Sequence, residues 1–193
     1  MGMTTIDTLL TLDDYFDLPE RPGVDFEMLD GDVVEMATPS FGHNEIMGEC
    51  FYVLKGLCKT RFPNLRVSGH TSFVLSAGTV QAPDIVLLDR QTSEMAESIR
   101  GALRCAPDLA IEIISPHEAS AHVDDKVGNY LEAGTKTVWV LWPRRRHALA
   151  YHRDGSVQHV MAGQFLEAPE VLPGARIPLD EILLPAHYPS PSA

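Results

Sequence analysis

Residues 82–89 read APDIVLLD, and residues 106–115 read APDLAIEIIS. Two apolar runs thus open on the same Ala-Pro-Asp triplet. Proline donates no backbone hydrogen bond and is tolerated at the first position of a strand, so each triplet marks a strand start. The second run is apolar nearly throughout, as in a strand covered on both faces, yet Glu112 stands in its middle between Ile111 and Ile113. An unpaired carboxylate there is costly, so Glu112 must find a cation, a donor or a proton. Asp84 opens what should be the neighbouring strand. Two carboxylates converging from adjacent strands, with access to water, make an oxygen-rich site for a hard divalent ion such as Mg²⁺.

The rest of the chain frames these two strands. Thr11, with Asp14 three residues on, opens a short helix from about Leu12 to Asp17. FEMLDGDVVEMA (26–37) is a hairpin about Asp30-Gly31, a pair that supplies the positive φ angles of a tight turn. Ser40 caps a long helix to about Arg61, whose apolar stripe runs Ile46, Cys50, Val53, Leu54, Leu57, Cys58. LRVSGHTSFVL and VQAPDIVLLD form a second hairpin across SAGT. TSEMAESIRGAL (92–103) reads as a polar, helical connection. A helix ending at Gly134 follows the Glu112 strand; then come the core strand TVWVLW, a hairpin about Asp154-Gly155, and a segment, 163–184, expected to pack on the surface. The pattern predicts an α/β fold, a central mixed sheet flanked by helices with appended hairpins, in one domain over 1–185 with a flexible tail at 186–193.

The net charge of −12 argues against a nucleic-acid partner, but that charge is unevenly spread. Ten acids and one base fall in residues 1–35, whereas Lys136, Arg144, Arg145, Arg146 and Arg153 lie in 133–153 without any acid. Cys50, Cys58 and Cys105 form no CxxC pair and read as reduced core thiols. No run reaches the ~20 apolar residues of a membrane span, and the start has no signal-peptide pattern, so the expected location is the cytoplasm, with no membrane partner.

The ordered set FEMLDGDVVEMATPSFGHNEI, VQAPDIVLLD, PDLAIEIISP, DDKVGNYLEAGTKTVWVL and LPGARIPLDEIL resembles the Uma-two family of restriction-endonuclease-like proteins, within the PD-(D/E)XK nuclease superfamily. The likeness spans roughly residues 11–185. It implies a metal-dependent endonuclease acting on nucleic acid, DNA foremost. Asp84 and Glu112 would bind Mg²⁺ or Mn²⁺, with the backbone carbonyl of Ile113 as a further ligand. His43 would face the metal or a phosphate from the start of the long helix, and Glu27 would sit at the rim. The superfamily's lysine two residues after the glutamate is replaced here by Ile114. Lys126, on the following helix, fits the displaced position that the family often uses. His122 and Trp142 stand where the family often has aspartate.

Plainer readings stand beside these. Glu112 and Lys126 also fit a structural ion pair, and His43, by residue type alone, fits a solvated or capping residue. His70, His117, His122, His147, His152 and His159 show no metal-ligand spacing. Trp139 and Trp142 fall on opposite strand faces, one of them core or interface, and Arg144–Arg146 read as a solvated turn. The missing lysine and the acidic composition favour an alternative, a nucleic-acid-binding or regulatory protein on a nuclease fold that no longer cuts. A third reading is an oligomeric scaffold. A homodimer would suit the cleavage of two strands.

Overall fold

The computed structural model describes residues 9–36, 38–115 and 120–183, with the side chains of 120–122 left out. The expectations placed on His117, on the His122 side chain and on the tail therefore lie outside the described residues. Helix α1 (Leu12–Phe16) carries the full capping box: Thr11 Oγ1 accepts the Asp14 N–H, and Asp14 Oδ2 accepts the Thr11 N–H. Strands β1 (Asp25–Leu29) and β2 (Asp32–Met36) turn about Asp30 and Gly31, at φ +51° and +89°. Helix α2 (Phe41–Thr60) starts at Ser40, whose Oγ accepts the His43 N–H, and buries His43, Ile46, Cys50, Leu54 and Cys58.

The long hairpin after α2 divides between two sheets. Strands β3 (Leu65–Gly69) and β6 (Ile85–Asp89) pair antiparallel in one, while β4 (Phe73–Ser76) and β5 (Thr79–Gln81) pair in the other. The chain turns the corner at Gly69–His70, where His70 has φ +51°, and returns through Ala82–Asp84. Asp84 therefore sits at the joint between the sheets.

The expected helical connection is helical only over α3 (Arg90–Met95); a two-residue hairpin follows, β7 (Ser98–Ile99) and β8 (Ala102–Leu103). Gly101, at φ +93°, makes that turn. Next come β9 (Leu109–Ile113), α4 (Ser120–Glu132), β10 (Thr137–Trp142), β11 (His147–His152) and β12 (Val157–Met161). The described chain ends in β13 (Phe165–Leu166), β14 (Ile177–Pro178) and α5 (Leu179–Ile182).

The main sheet runs β12-β11-β10-β9-β6-β3. Its parallel pair, β9 with β10, is joined through α4, the crossover that parallel neighbours require. The appended hairpins pool into a second six-stranded sheet, β2-β1-β5-β4-β8-β7. Every residue of β9 is buried, as its apolar run predicts. One face of the main sheet packs under α2 and the C-terminal segment; Leu109, Ile111, Ile113, Trp139 and Leu141 lie there. On the other face Ala110, Val138 and Val140 meet Val123, Val127 and Tyr130 of α4. Trp139 and Trp142 divide between the two faces as expected, with Trp139 fully buried. The segment expected to pack on the surface is instead part of the core as far as residue 183. Leu166, Val171, Leu172, Ile177, Leu179 and Ile182 are all buried there. They seal a face that α2 alone leaves open. Among the described residues, no helix is long and apolar enough to cross a membrane.

Candidate functional site

The register that pairs Ile85 with Ile111, and Val86 with Ala110, carries one step further to set Asp84 against Glu112. Asp84 Oδ2 accepts the Ile113 N–H at 2.7 Å, and Oδ1 lies 2.9 Å from His43 Nε2. The other ring nitrogen, His43 Nδ1, is buried with no hydrogen-bond partner.

Glu112 points to the opposite sheet face from Ile111 and Ile113, towards α4. Tyr130 Oη donates to its Oε1 at 2.8 Å, and Lys126 Nζ lies 3.5 Å from its Oε2. Lys126 and Tyr130 are one helical turn apart and share a face of α4. Ile114, two residues after Glu112, points to that same face, so Lys126 reaches from the helix into the region that a lysine at 114 would occupy.

Glu27 departs from the rim position expected of it. It is 2% exposed, with Lys126 Nζ 3.0 Å from its Oε2 and the Ala82 N–H donating to its Oε1 at 3.0 Å. β1 of the second sheet, β9 of the main sheet and α4 thus deliver Glu27, Glu112 and Lys126 to one point. Asp84, at the joint, borders it.

Among the described residues, Glu27, Glu112 and Asp84 bring three carboxyl groups to this region, with Lys126 against the first two and His43 against the third. Burial pushes the Glu112 carboxyl up to about 8; Lys126 opposes that rise, while Asp84 and Glu27 add to it. The same surroundings raise the Tyr130 phenol well above its usual range, desolvation first.

The donor set suits a hard ion. Each carboxylate offers about four lone-pair sites; Asp84 and Glu112 each show two polar contacts here. In an extended strand the N–H and C=O of one residue point the same way, so the Ile113 carbonyl faces Asp84 along with its N–H. Cys50 is near, but burial drives its thiol up to about 12, so it supplies no thiolate. Among the described residues, no three His, Cys, Asp or Glu side chains are grouped to hold an ion by themselves. Mg²⁺ commonly takes only one or two carboxylates and keeps several waters, so Asp84, Glu112 and the Ile113 carbonyl fit it.

Sequence reasoning marked Asp84, Glu112, Lys126, His43 and Ile113, and the structure brings all five together. It undervalued Glu27 and missed Tyr130. Tyr130 had a readable signal: a hydroxyl on the apolar stripe Val123, Val127, Tyr130, at the same helical spacing that carries Lys126. Glu27 had none, because the cation it meets comes 99 residues later in the chain.

A mixed sheet that presents opposed acids from two adjacent strands, with a helix-borne lysine over them, defines an α/β protein of restriction-endonuclease-like fold. The chain belongs to the Uma2 family, described as "Putative restriction endonuclease", which matches residues 12–180. Among solved structures it is similar to one described as "a putative nuclease belonging to DUF820" from Anabaena variabilis ATCC 29413. The TM-score is 0.77 at 20% identity, covering 90% of this chain and 97% of that one. No curated protein matches the chain. Fold and family together support a nuclease, with nucleic acid as the substrate class and a divalent ion as the family's general requirement.

Proposed function

We propose that this protein is a Mg²⁺- or Mn²⁺-dependent endonuclease that hydrolyses phosphodiester bonds, DNA foremost. The observation that carries the reading is the convergence of Asp84, Glu112 and Lys126, with Glu27 beside them, at a point where two sheets meet. A divalent ion held by Asp84, Glu112 and the Ile113 carbonyl would lower the pKa of a bound water and offset charge on the phosphate. The chain's own residues do the rest. His43 and the Ile113 N–H fix both oxygens of Asp84. Tyr130 and Lys126 fix both oxygens of Glu112. Lys126 also places positive charge where negative charge develops on the phosphate. A cytoplasmic homodimer, with one site per strand of a duplex, belongs to the same reading.

The test is cleavage of supercoiled DNA, single-stranded DNA and RNA by metal-stripped protein resupplied with Mg²⁺ or Mn²⁺. Asp84→Ala, Glu112→Gln and Lys126→Ala should each lose the metal-dependent cutting. Equal cutting by all three variants would assign the activity to a contaminant and end the proposal.

A second reading draws on one specific contact. Lys126 sits nearer Glu27, at 3.0 Å, than Glu112, at 3.5 Å. A lysine engaged with both acids fits a protein that binds nucleic acid without cutting. Metal binding that Asp84→Ala abolishes, with no cleavage by the wild type, would favour this reading.

A further inference from the structure

The sheet face that carries Glu112 continues, strand by strand, to the edge of the molecule. Glu112 is opposite Val140, Val140 opposite Leu149, and Leu149 opposite His159. Directly opposed residues share a face, and strands lie roughly 4.8 Å apart, so His159 stands about 14 Å from Glu112 on the same side. The next row is Trp142, His147 and Met161.

The two histidines form a joined pair. His147 Nδ1 lies 2.7 Å from His159 Nε2, and the His147 ring packs 5.0 Å from the Trp142 ring. His147 Nε2 is buried with no hydrogen-bond partner. Arg144 and Arg145, at the turn between β10 and β11, are both exposed, and Arg145 acts electrostatically on His147. No acid occurs in residues 133–153 or in 155–166, in a chain whose net charge is −12. Burial first, then His159 and Arg145, hold His147 below the usual imidazole range. Among the described residues, Asp124 of α4 acts on Tyr151, away from the Trp142 row.

We infer that Arg144, Arg145 and His159, with His147 as the support of His159, form a ridge that holds phosphates of the nucleic-acid backbone about 14 Å from the bond that is cut. The inference rests on the nuclease reading and adds where the strand lies. The ridge contacts backbone only, so it supports binding without reading sequence.

The experiment uses the full chain with Asp84→Asn, which cannot cut, and follows a labelled 20-base-pair duplex (a length on the order of that held in known nucleic-acid channels) by fluorescence anisotropy across a salt series. Arg144→Ala with Arg145→Ala, and separately His159→Ala, should weaken binding and reduce the slope of log affinity against log salt by about one for each phosphate no longer held. In the cutting-competent chain, His159→Ala should raise KM for the duplex. It should leave hydrolysis of bis(4-nitrophenyl) phosphate unchanged, because that diester cannot span the distance to the ridge. Unchanged affinity and slope in both variants, with the Asp84→Asn chain binding and the wild type cutting, overturns the ridge and spares the nuclease reading. An Asp84→Asn chain that does not bind, together with a wild type that does not cut, overturns both. Saturable Zn²⁺ binding that His159→Ala abolishes, with duplex affinity untouched, makes the pair a metal site and overturns the ridge.

Discussion

Asp84 and Glu112 stand opposite each other across β6 and β9, yet hydrogen bonds pull them to different supports. Asp84 is tied to His43 of α2 and to the backbone of Ile113; Glu112 is tied to Tyr130 and Lys126 of α4. Helices on both faces of the sheet therefore fix the two acids, and each support can be removed separately.

Lys126→Ala removes the ammonium from two buried carboxyl groups and leaves them without its counter-charge. Breaking one side of a buried ion pair costs about 3–5 kcal/mol. Urea unfolding should show a drop of that size. Combining Lys126→Met with Glu27→Gln should recover most of it, since the charges then leave together. A double variant as unstable as Lys126→Ala would mean that packing, not charge, sets the cost.

Tyr130→Phe keeps the ring among Val123, Val127 and Val138 and removes only the donor to Glu112 Oε1. Leaving a buried acceptor without its partner costs about 1–3 kcal/mol. Unfolding midpoints should fall accordingly, and in the endonuclease reading metal affinity should fall with them. An unchanged midpoint would show that water replaces the hydroxyl.

Stability should depend on pH through Glu112 in an unusual direction. Its carboxyl is raised from 4.5 to about 8 in the folded state. The folded protein therefore holds a proton between those values that the unfolded chain has released. The stabilisation is complete below about 4.5 and is lost as pH rises towards 8, by up to about 1.4 kcal/mol per pH unit. Metal-free wild type should lose stability relative to Glu112→Gln between pH 5 and 8 and run parallel to it above. Parallel curves across the whole range would place the Glu112 carboxyl near its ordinary value.

The three thiols should react in an order set by burial. Cys50 is fully buried and raised to about 12; Cys58 and Cys105 are raised less, and Cys105 is the more exposed of these two. Maleimide labelling at neutral pH, followed by peptide mass analysis, should modify Cys105 first and Cys50 only on unfolding. Early modification of Cys50 would contradict the packing of α2 against the sheet.

Local chemistry made much of the fold legible. Asp30-Gly31 marked the first hairpin, Ser40 the start of α2, and Gly134 the end of the α4 segment. What escaped depends on distant partners. Val171, Leu172, Ile177 and Ile182 follow neither a helical nor a strand period, so nothing nearby marks them as core; they are buried because α2 and the sheet leave a groove for them. The long hairpin looked continuous because strand period says nothing about which sheet a strand joins. In the candidate site, Asp84 and Glu112 were legible because a carboxylate in or beside an apolar strand is costly unless it meets a partner. Glu27 looked like a surface acid of a hairpin, and only the docking of β1 over α4 removes it from water.

The joint at Ala82–Asp84 has a consequence for the life of the protein. Glu27 comes from one sheet, Glu112 from the other, and Asp84 from the hinge that links them. No half of the molecule holds the whole set, so the arrangement that the nuclease reading calls on is absent while the chain is being made or coming apart. It exists only when both leaves have shut.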